Sequence, residues 1–277
     1  MTVFHTIAAF RAWREGLSGT VGFAPTMGNL HDGHIACLKS AQLDTAHSVV
    51  SIFVNPTQFA PTDDFAKYPR TLEDDLNLLE ANGCSAVFVP SVEEMYPAGA
   101  TTKVIAGSMA NGLEGDFRPG HFDGVATVCL KLFQIVQPSV VAFGCKDLQQ
   151  LRVIEQMIRD FNMPLHLEAV PTCREANCLA LSSRNRYLTP DAKAKASQLN
   201  TALQDTLQLV LDGVSPNEAE ATTTAVLERH GWAVDYIAVR DAVTFQAITP
   251  ETSEVAVLGA ARLNGVRLID NITRLRA

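Results

Sequence analysis

Residues 25–34 constrain the fold more than any other segment, because they join a short apolar run to the start of an amphipathic pattern. The run 21–24 predicts a buried strand, and residues 35–46 predict a helix. A strand that turns into a helix leaves free backbone N–H groups and the positive end of the helix dipole at the turn. Gly28 and Gly33 would let a ligand approach the backbone closely. The segment therefore predicts an anion-binding turn.

Two histidines, His31 and His34, lie in this turn. Imidazoles at a helix N-terminus suit contact with a nucleotide phosphate, as hydrogen-bond donors or proton carriers. A lone pair with this spacing is common by chance, and one histidine could simply cap the helix. The strand–turn–helix context and the two glycines favour the functional interpretation. Residues 31–34 resemble the His-x-Gly-His signature of the nucleotidylyltransferase-like enzymes, which leaves the substrate open.

The composition is that of a soluble globular protein, with 277 residues, 47% hydrophobic and 19% charged. We see no apolar run of the roughly 18 residues that a membrane span needs. The N-terminal residues lack a signal-peptide pattern, so a cytoplasmic protein is expected. A formal net charge of -8 argues against nucleic-acid binding, although a phosphorylated ligand needs only a few local cations.

The six cysteines show no Cys-x-x-Cys pair and no clustering with histidine. They are Cys37, Cys84, Cys129, Cys145, Cys173 and Cys178. Most lie in apolar runs, so buried free thiols are expected rather than disulfides or a zinc site.

Apolar runs alternate with helical patterns through the first two thirds of the chain. The predicted strands are 21–24, 48–54, 86–89, 140–144 and 166–170, and the predicted helices are 35–46, 72–81, 122–136 and 148–161. This alternation predicts an α/β fold, a Rossmann-like parallel sheet with helices on both faces. Such sheets bind ligands at the carboxyl ends of their strands.

After about residue 176 the pattern changes to that of a smaller α+β domain. A long helix is predicted over 191–211, and Ser215 is a candidate N-cap for the next helix. Strands are predicted at 234–240 and 255–261, the latter continuing past a hairpin turn at Asn264-Gly265 into 266–269. The predicted domains are therefore 1–176 and 177–277.

Three further segments carry candidate ligand groups. Gln58 follows the second strand, where it could cap a turn or bind a carboxylate and a hydroxyl through its amide. Lys146 follows a later strand and could neutralise a phosphate or be an ordinary surface lysine. Residues 181–185 resemble the flexible phosphate loop of class I aminoacyl-tRNA synthetases, with Ser182, Ser183 and Arg184 in place of its Lys-Met-Ser-Lys-Ser motif.

Residues 63–71 lead into an acidic helix start at Glu73, Asp74 and Asp75, with Thr71 as a candidate N-cap. These acids would complement the helix dipole, and the group could also lie near a magnesium-bound nucleotide.

Residues 115–124 form a glycine-rich loop with Arg118 and His121, which is a helix cap or a functional loop. Walker A, Gly-x-Ser-x-Gly, His-Glu-x-x-His and Gly-x-Gly-x-x-Gly motifs do not occur, which disfavours P-loop, hydrolase, zincin and dehydrogenase classes.

Together these motifs closely resemble the pantoate–β-alanine ligase (pantothenate synthetase) family. The matching blocks are 25–34, 53–59, 68–71, 117–125, 144–150, 174–188 and 267–271, in the order found in the family. The resemblance implies a homodimeric, cytoplasmic enzyme that uses ATP and Mg²⁺ to join (R)-pantoate and β-alanine. It further implies release of AMP and pyrophosphate through a pantoyl-adenylate, and a second domain that forms a lid over the active site.

The resemblance also implies roles for individual residues. The implied ATP-binding residues are Met27, Gly28, Asn29, Leu30, His31, Asp32, Gly33, His34, Gly144, Cys145, Lys146, Asp147, Cys173, Leu181, Ser182, Ser183 and Arg184. Among these, His34 would be the proton donor, with His31, Lys146 and Arg184 as the other catalytic residues, and no residue is assigned to a metal. Gln58 and Gln150 would bind pantoate, and Gln58 would also border β-alanine.

The chain departs from the family pattern at two places. Cys145 stands where the family usually has Glu, and Asn177-Cys178 where it usually has Asp-Gly. The missing glycine would stiffen the loop before Ser182. Two alternatives remain at this point: another nucleotidyl-transferring enzyme on the same fold, and an inactive nucleotide-binding module.

Overall fold

The computed structural model describes residues 1–59, 65 and 68–276, so part of the segment 63–71 lies outside the described residues. The chain divides into two compact units. The first comprises Met1–Cys145 and Gln149–Pro171, and the second Lys146–Leu148 and Thr172–Ala277.

The first unit is built on a six-stranded sheet in the order β1-β4-β3-β2-β5-β6. The strands are β1 (Thr2–Phe4), β2 (Val21–Thr26), β3 (His47–Ile52), β4 (Ala86–Phe88), β5 (Val140–Gly144) and β6 (His166–Val170). Every neighbouring pair is parallel. This confirms the predicted parallel sheet and adds β1, which the sequence analysis did not predict.

The α-helices described in this part of the chain connect and flank these strands. They are α1 (Ile7–Glu15), α2 (Asp32–Gln42), α3 (Leu72–Ala81), α4 (Val92–Met95), α5 (Glu114–Phe117), α6 (His121–Val136) and α7 (Leu148–Asp160). The helix predicted over 35–46 begins three residues earlier and ends earlier, at Gln42. Its start is fixed by capping inside the turn, as described below.

Helices cover both faces of the sheet, as predicted. Ala24 of β2 packs in one cluster with Leu38 of α2 and Leu79 of α3. Its neighbour Phe23 points to the opposite face, since successive strand residues alternate. There the Phe23 ring lies 6.4 Å from the ring of Phe133 in α6.

The second unit combines α-helices with an antiparallel sheet in the order β7-β8-β9. The elements are α8 (Pro190–Ala196), α9 (Gln198–Leu211), α10 (Pro216–Arg229), β7 (Ala233–Asp241), β8 (Glu254–Leu263) and β9 (Val266–Leu275). The prediction of one helix over 191–211 is wrong, because the helix is interrupted at Ser197, whose hydroxyl donates to the Ala194 carbonyl (3.1 Å). The hairpin is confirmed: Asn264 and Gly265 have φ of 50° and 81° between the paired residues Leu263 and Val266.

All six cysteines are free thiols. Burial raises the pKa of Cys84 to about 11 and that of Cys129 to about 12. The other four are exposed or half-buried, so the expectation of burial holds for two of the six. Among the residues that the structure describes, no helix has the length and apolar character needed to span a membrane.

Candidate active site

The order in which the chain adds strands to the sheet reverses between β2 and β5. From β2 the chain adds β3 and β4 on one side, and it later adds β5 and β6 on the other side. Open α/β sheets bind ligands outside the carboxyl ends of the strands at such a switch point. The predicted turn follows β2 and Gln58 follows β3, whereas Gly144 ends β5. The topology therefore brings three predicted segments to one edge of the sheet.

The carboxylate of Asp75 in α3 binds the backbone of the turn after β2. It accepts hydrogen bonds from the backbone N–H groups of Asn29 (2.9 Å) and Leu30 (2.8 Å). The Gly28 N–H donates to the hydroxyl of Thr26 (3.2 Å). Gly28 and Asn29 have φ of 82° and 52°, which turns their N–H groups toward the protein. The expectation that the N–H groups of this turn are free for a phosphate is wrong for these three residues.

The sequence analysis named Asp75 only as an acid near the start of a helix and missed its contact with the turn. Glu73, Asp74 and Asp75 are all present near the start of α3, as the dipole argument predicts, yet only Asp75 is buried. Thr71 occupies the N-cap position without capping the helix, and its hydroxyl donates to Asp75 instead (3.2 Å). The available signal was the spacing: Asp75 lies one turn before the buried Leu79, on the face that packs into the core.

The two histidines cap the first turn of α2 through their side chains. His31 is the N-cap, and its Nδ1 accepts from the Gly33 N–H (3.1 Å). Nδ1 of His34 accepts from the His31 N–H (3.2 Å), and the two ring centroids are 4.1 Å apart. A neutral imidazole that accepts at Nδ1 carries its proton on Nε2. Both rings are therefore held as the tautomer that donates through Nε2, the form suited to phosphate oxygens.

The side chain of Gln58 is oriented by Asn55. The backbone N–H of Thr57 donates to Oδ1 of Asn55 (3.3 Å), as does the hydroxyl of Tyr96 (2.9 Å). This fixes which end of the Asn55 amide is oxygen, so its Nδ2 donates to Oε1 of Gln58 (2.9 Å). Burial raises the pKa of Tyr96, which keeps its hydroxyl protonated. The Gln58 amide nitrogen is thus the group directed away from Asn55, as a donor.

The glycine-rich segment holds the backbone of Gln58. Nδ1 of His121 and the guanidinium of Arg118 both donate to the Gln58 carbonyl, at 3.0 and 3.3 Å. Arg118 also donates to Nε2 of His121 (3.1 Å), which assigns the His121 proton to Nδ1. A Cβ at Gly124 would collide with the Thr57 carbonyl, so only glycine lets α6 approach this loop so closely.

Gln150 and Gln149 have different environments. Gln150, a predicted pantoate residue, lies half-buried in the first turn of α7. Gln149 is buried; its Nε2 donates to the carbonyls of Met109, Asn111 and Gly112, and its Oε1 accepts from the N–H of Glu114. Gln149 therefore secures the loop before α5, a role that the sequence did not indicate.

In the second unit, Lys146 and Asp147 belong to the single helical turn Cys145–Asp147 that follows β5. The Lys146 ammonium lies 3.7 Å from the Asp147 carboxylate, and its side chain is 19% exposed. The Lys146 carbonyl accepts from Nδ2 of Asn271 in β9 (2.8 Å). Lys146 is thus partly buried and fixed at its backbone, unlike an ordinary surface lysine.

The predicted phosphate loop starts a short helical turn, Ser183–Tyr187, with Ser182 as its N-cap. The Ser182 hydroxyl accepts from the Arg184 N–H (3.2 Å), and the Arg184 side chain is exposed. The Leu181 N–H donates to the carbonyl of Cys173 (2.9 Å). The backbone hydrogen bond between residues 173 and 181 places two predicted ATP-binding segments side by side.

Comparison with known proteins decides the family. A family model described as pantoate-beta-alanine ligase matches residues 2–273, a range that contains every predicted site residue. The chain belongs to this family. The pantothenate synthetase of Acidothermus cellulolyticus is 47% identical over 279 residues, which cover 99% of this chain and 92% of that protein.

Solved structures of the family agree with the fold. The pantothenate synthetase of Thermus thermophilus has a TM-score of 0.91 and 42% identity, covering 98% of this chain and 99% of that one. The pantoate-beta-alanine ligase of Francisella tularensis, solved in complex with β-γ ATP and β-alanine, has a TM-score of 0.84 and 34% identity. That match covers 98% of this chain and 97% of the other. The predicted family and fold class are confirmed.

Proposed function

We propose that the chain is an AMP-forming ligase that condenses (R)-pantoate with β-alanine to give pantothenate, AMP and diphosphate. The observation that carries this proposal is the family match over residues 2–273. It is supported by the complex of the Francisella tularensis relative with β-γ ATP and β-alanine. The paired imidazoles of His31 and His34 at a sheet switch point suit the nucleotide that such a ligase needs.

In the first step, we propose that a pantoate carboxylate oxygen attacks the α-phosphorus of ATP. The bond between the α-phosphorus and the oxygen that bridges to the β-phosphate breaks at the same time. Negative charge grows on the non-bridging oxygens and on the departing diphosphate. The Nε2–H groups of His31 and His34 would donate to these oxygens, with His34 as the proton donor. The cations of Lys146 and Arg184 would neutralise the phosphates.

The remaining predicted residues would hold the nucleotide and pantoate in this step. The turn 27–34, residues 144–147 and residues 181–184 would bind ATP, with Cys173 contacting adenine through its backbone. Gln58 would donate from its amide nitrogen to pantoate, and Gln150 would supply a second amide. Both would lower the barrier by orientation rather than by chemistry.

In the second step, the neutral amine of β-alanine attacks the acyl carbon of pantoyl-adenylate, and AMP leaves with the bonding electrons. The amine loses a proton as the amide forms. Because AMP is a good leaving group, the reaction needs no covalent enzyme intermediate. Gln58, bordering β-alanine, would position the amine.

Mg²⁺ is implied by the family resemblance. Among the described residues there is no group of three or more His, Cys, Asp or Glu side chains that could hold a metal ion. We therefore propose that Mg²⁺ is held mainly by the ATP phosphates, which is its usual mode in nucleotide enzymes. We further propose a cytoplasmic homodimer, with 177–277 acting as the lid.

The decisive experiment is pantoate-dependent exchange of labelled pyrophosphate into ATP, run without β-alanine. The proposed function requires exchange with pantoate and none without it, because only a reversible adenylation returns label to ATP. Adding β-alanine should then release AMP and pantothenate. ATP binding without exchange would instead indicate an inactive module, and exchange that requires a phosphorylated co-substrate would indicate another transferase.

A further inference from the structure

An ion pair with a buried carboxylate lies beside the second unit's candidate residues. The guanidinium of Arg174 donates to both carboxylate oxygens of Asp270, at 2.7 and 2.9 Å, and the Asp270 side chain is 4% exposed. The carboxylate also accepts from Nδ2 of Asn200 (3.1 Å) and from the N–H of Asn271 (2.8 Å). With four donors on two oxygens, Asp270 is a well-satisfied buried charge.

This network ends on two backbone carbonyls, one at Lys146, which is predicted to bind ATP, and one at Cys178, shortly before the predicted phosphate loop. Arg174 donates to the carbonyl of Cys178 (3.1 Å), four residues before Ser182. Asn271, whose own carbonyl accepts from Arg174 (3.2 Å), donates through Nδ2 to the carbonyl of Lys146 (2.8 Å). The base of the phosphate loop and the backbone of Lys146 are thus tied to the same residues of β9.

Fixing the Lys146 carbonyl matters because a lysine side chain is long and flexible. An ammonium placed by four rotatable bonds can oppose a developing phosphate charge only if its backbone anchor is fixed. Displacements near 1 Å at a reacting centre can cost about a hundredfold in rate. An ion pair of this kind need not be more stable than an apolar pair in its place, so net stability alone does not explain why the pair is there.

We propose that Asn271, held by the Arg174–Asp270 ion pair, is a positioning residue that sets Lys146 for the adenylation step. This inference rests on the proposed function, and it goes beyond it by assigning a task to residues that touch no reacting atom. The family resemblance includes residues 174–188 and 267–271 but gives these three side chains no role.

A double-mutant cycle between Asn271 and Lys146 tests the proposal, with labelled pyrophosphate exchange as the readout. Asn271→Ala should lower the exchange kcat by about tenfold and change the KM for ATP by less than about threefold, because placement rather than binding is lost. In a Lys146→Ala background the same substitution should change the residual rate by less than about twofold. An equal factor in both backgrounds, or a change below twofold in the parent, would overturn the proposal.

A matched control separates positioning from stability. Asp235 forms a partly buried ion pair on the same sheet, accepting from Nε of Arg267 (2.6 Å) and lying 3.6 Å from Nε of Arg262. Asp270→Asn and Asp235→Asn should lower Tm to a similar degree, whereas only Asp270→Asn should slow exchange. Equal loss of exchange in both variants would reduce the Asp270 network to a structural role.

Three further outcomes are decided in advance. If Asn271→Ala does not fold, Asn271→Thr suits a strand and still loses the reach to the Lys146 carbonyl, so the cycle is run with it. If the parent shows no pantoate-dependent exchange, the proposed function fails. If exchange is normal in the parent but Lys146→Ala is fully active, the positioning inference fails while the ligase function stands.

Discussion

Nδ1 of His34 accepts a hydrogen bond from the backbone N–H of His31, and the two ring centroids lie 4.1 Å apart. Nδ1 of His31 in turn accepts from the backbone N–H of Gly33. The arrangement is a capping box in which imidazoles replace the usual hydroxyl and carboxylate. Capping and phosphate binding were competing explanations from the sequence. The structure makes them compatible, because the cap uses Nδ1 and leaves the proton on Nε2.

His34→Ala should lower kcat by about 10²–10³, the usual effect of removing a donor that stabilises developing charge. The same change deprives the His31 N–H of its acceptor, at a stability cost of about 1 kcal/mol. Exchange kinetics and urea unfolding measure the two effects separately.

The matched control is His34→Gln, because glutamine at this helix position completes a capping box. We expect near-parental stability and the same low rate as His34→Ala. Turnover close to the parent in either variant contradicts the assignment of His34.

Asp75→Asn should loosen the turn after β2. The amide can accept only one of the two hydrogen bonds from Asn29 and Leu30, and its NH₂ group would face the other N–H. Leaving a buried donor unsatisfied costs about 1–3 kcal/mol. We expect a lower Tm together with a lower kcat/KM for ATP. Glu73→Gln, an exposed acid in the first turn of the same helix, should change neither quantity measurably; an equal loss there would assign the effect to the helix dipole.

Local patterns predicted most of the sheet, because β2 and β5 are short, largely apolar runs of the kind typical of buried parallel strands. The hairpin at Asn264-Gly265 was also predicted correctly, because asparagine and glycine are the residue types that adopt the two positive φ angles of such a turn. The contact between Asp75 and the turn was not, because it joins residues 45 and 46 positions apart. No local pattern distinguishes a carboxylate that binds distant N–H groups from one that complements a helix dipole.

The same limit applied to Asn271 and Lys146, which are separated by 125 positions. Residue types and the family resemblance predicted which segments carry chemistry. They could not predict which backbone groups of those segments form hydrogen bonds within the protein, because these bonds join residues that are far apart in the sequence. The orientation of Gln58 is of this kind, because it depends on the hydrogen bond from Tyr96 to Asn55.

Cys178→Gly should stabilise the loop before Ser182 and leave activity within a few-fold of the parent. Cys178 has a φ of 71°, a left-handed conformation that costs an L-residue about 1–2 kcal/mol. Glycine removes this strain, partly offset by about 0.5–1 kcal/mol of added unfolded-state entropy. Cys178→Ala is the control, since it removes the thiol but keeps the Cβ. Thermal unfolding should rank glycine above both alanine and cysteine, and equal stability of all three variants contradicts the strain argument.

Substrate choice should depend on the orientation of Gln58. Its Oε1 already accepts from Asn55, so we expect the amide nitrogen to be the group that donates to a ligand; the residue is only 8% exposed. Gln58→Ala would leave pantoate oxygens without a partner, at about 1–3 kcal/mol, or tenfold or more in pantoate use. Gln150→Ala should have a similar effect, whereas ATP binding measured without pantoate should barely change in either variant.

Gln58→Glu sharpens this prediction, because it keeps the size of the side chain and removes its donor. A carboxylate there would place an acceptor against the acidic substrate in place of the donor, so pantoate use should fall at least as far as in Gln58→Ala. Initial rates of exchange at varied pantoate and fixed ATP give the comparison. Higher activity in Gln58→Glu than in Gln58→Ala would show that Gln58 accepts from the substrate instead of donating to it. Loss of ATP affinity with unchanged pantoate use would assign this pocket to the nucleotide.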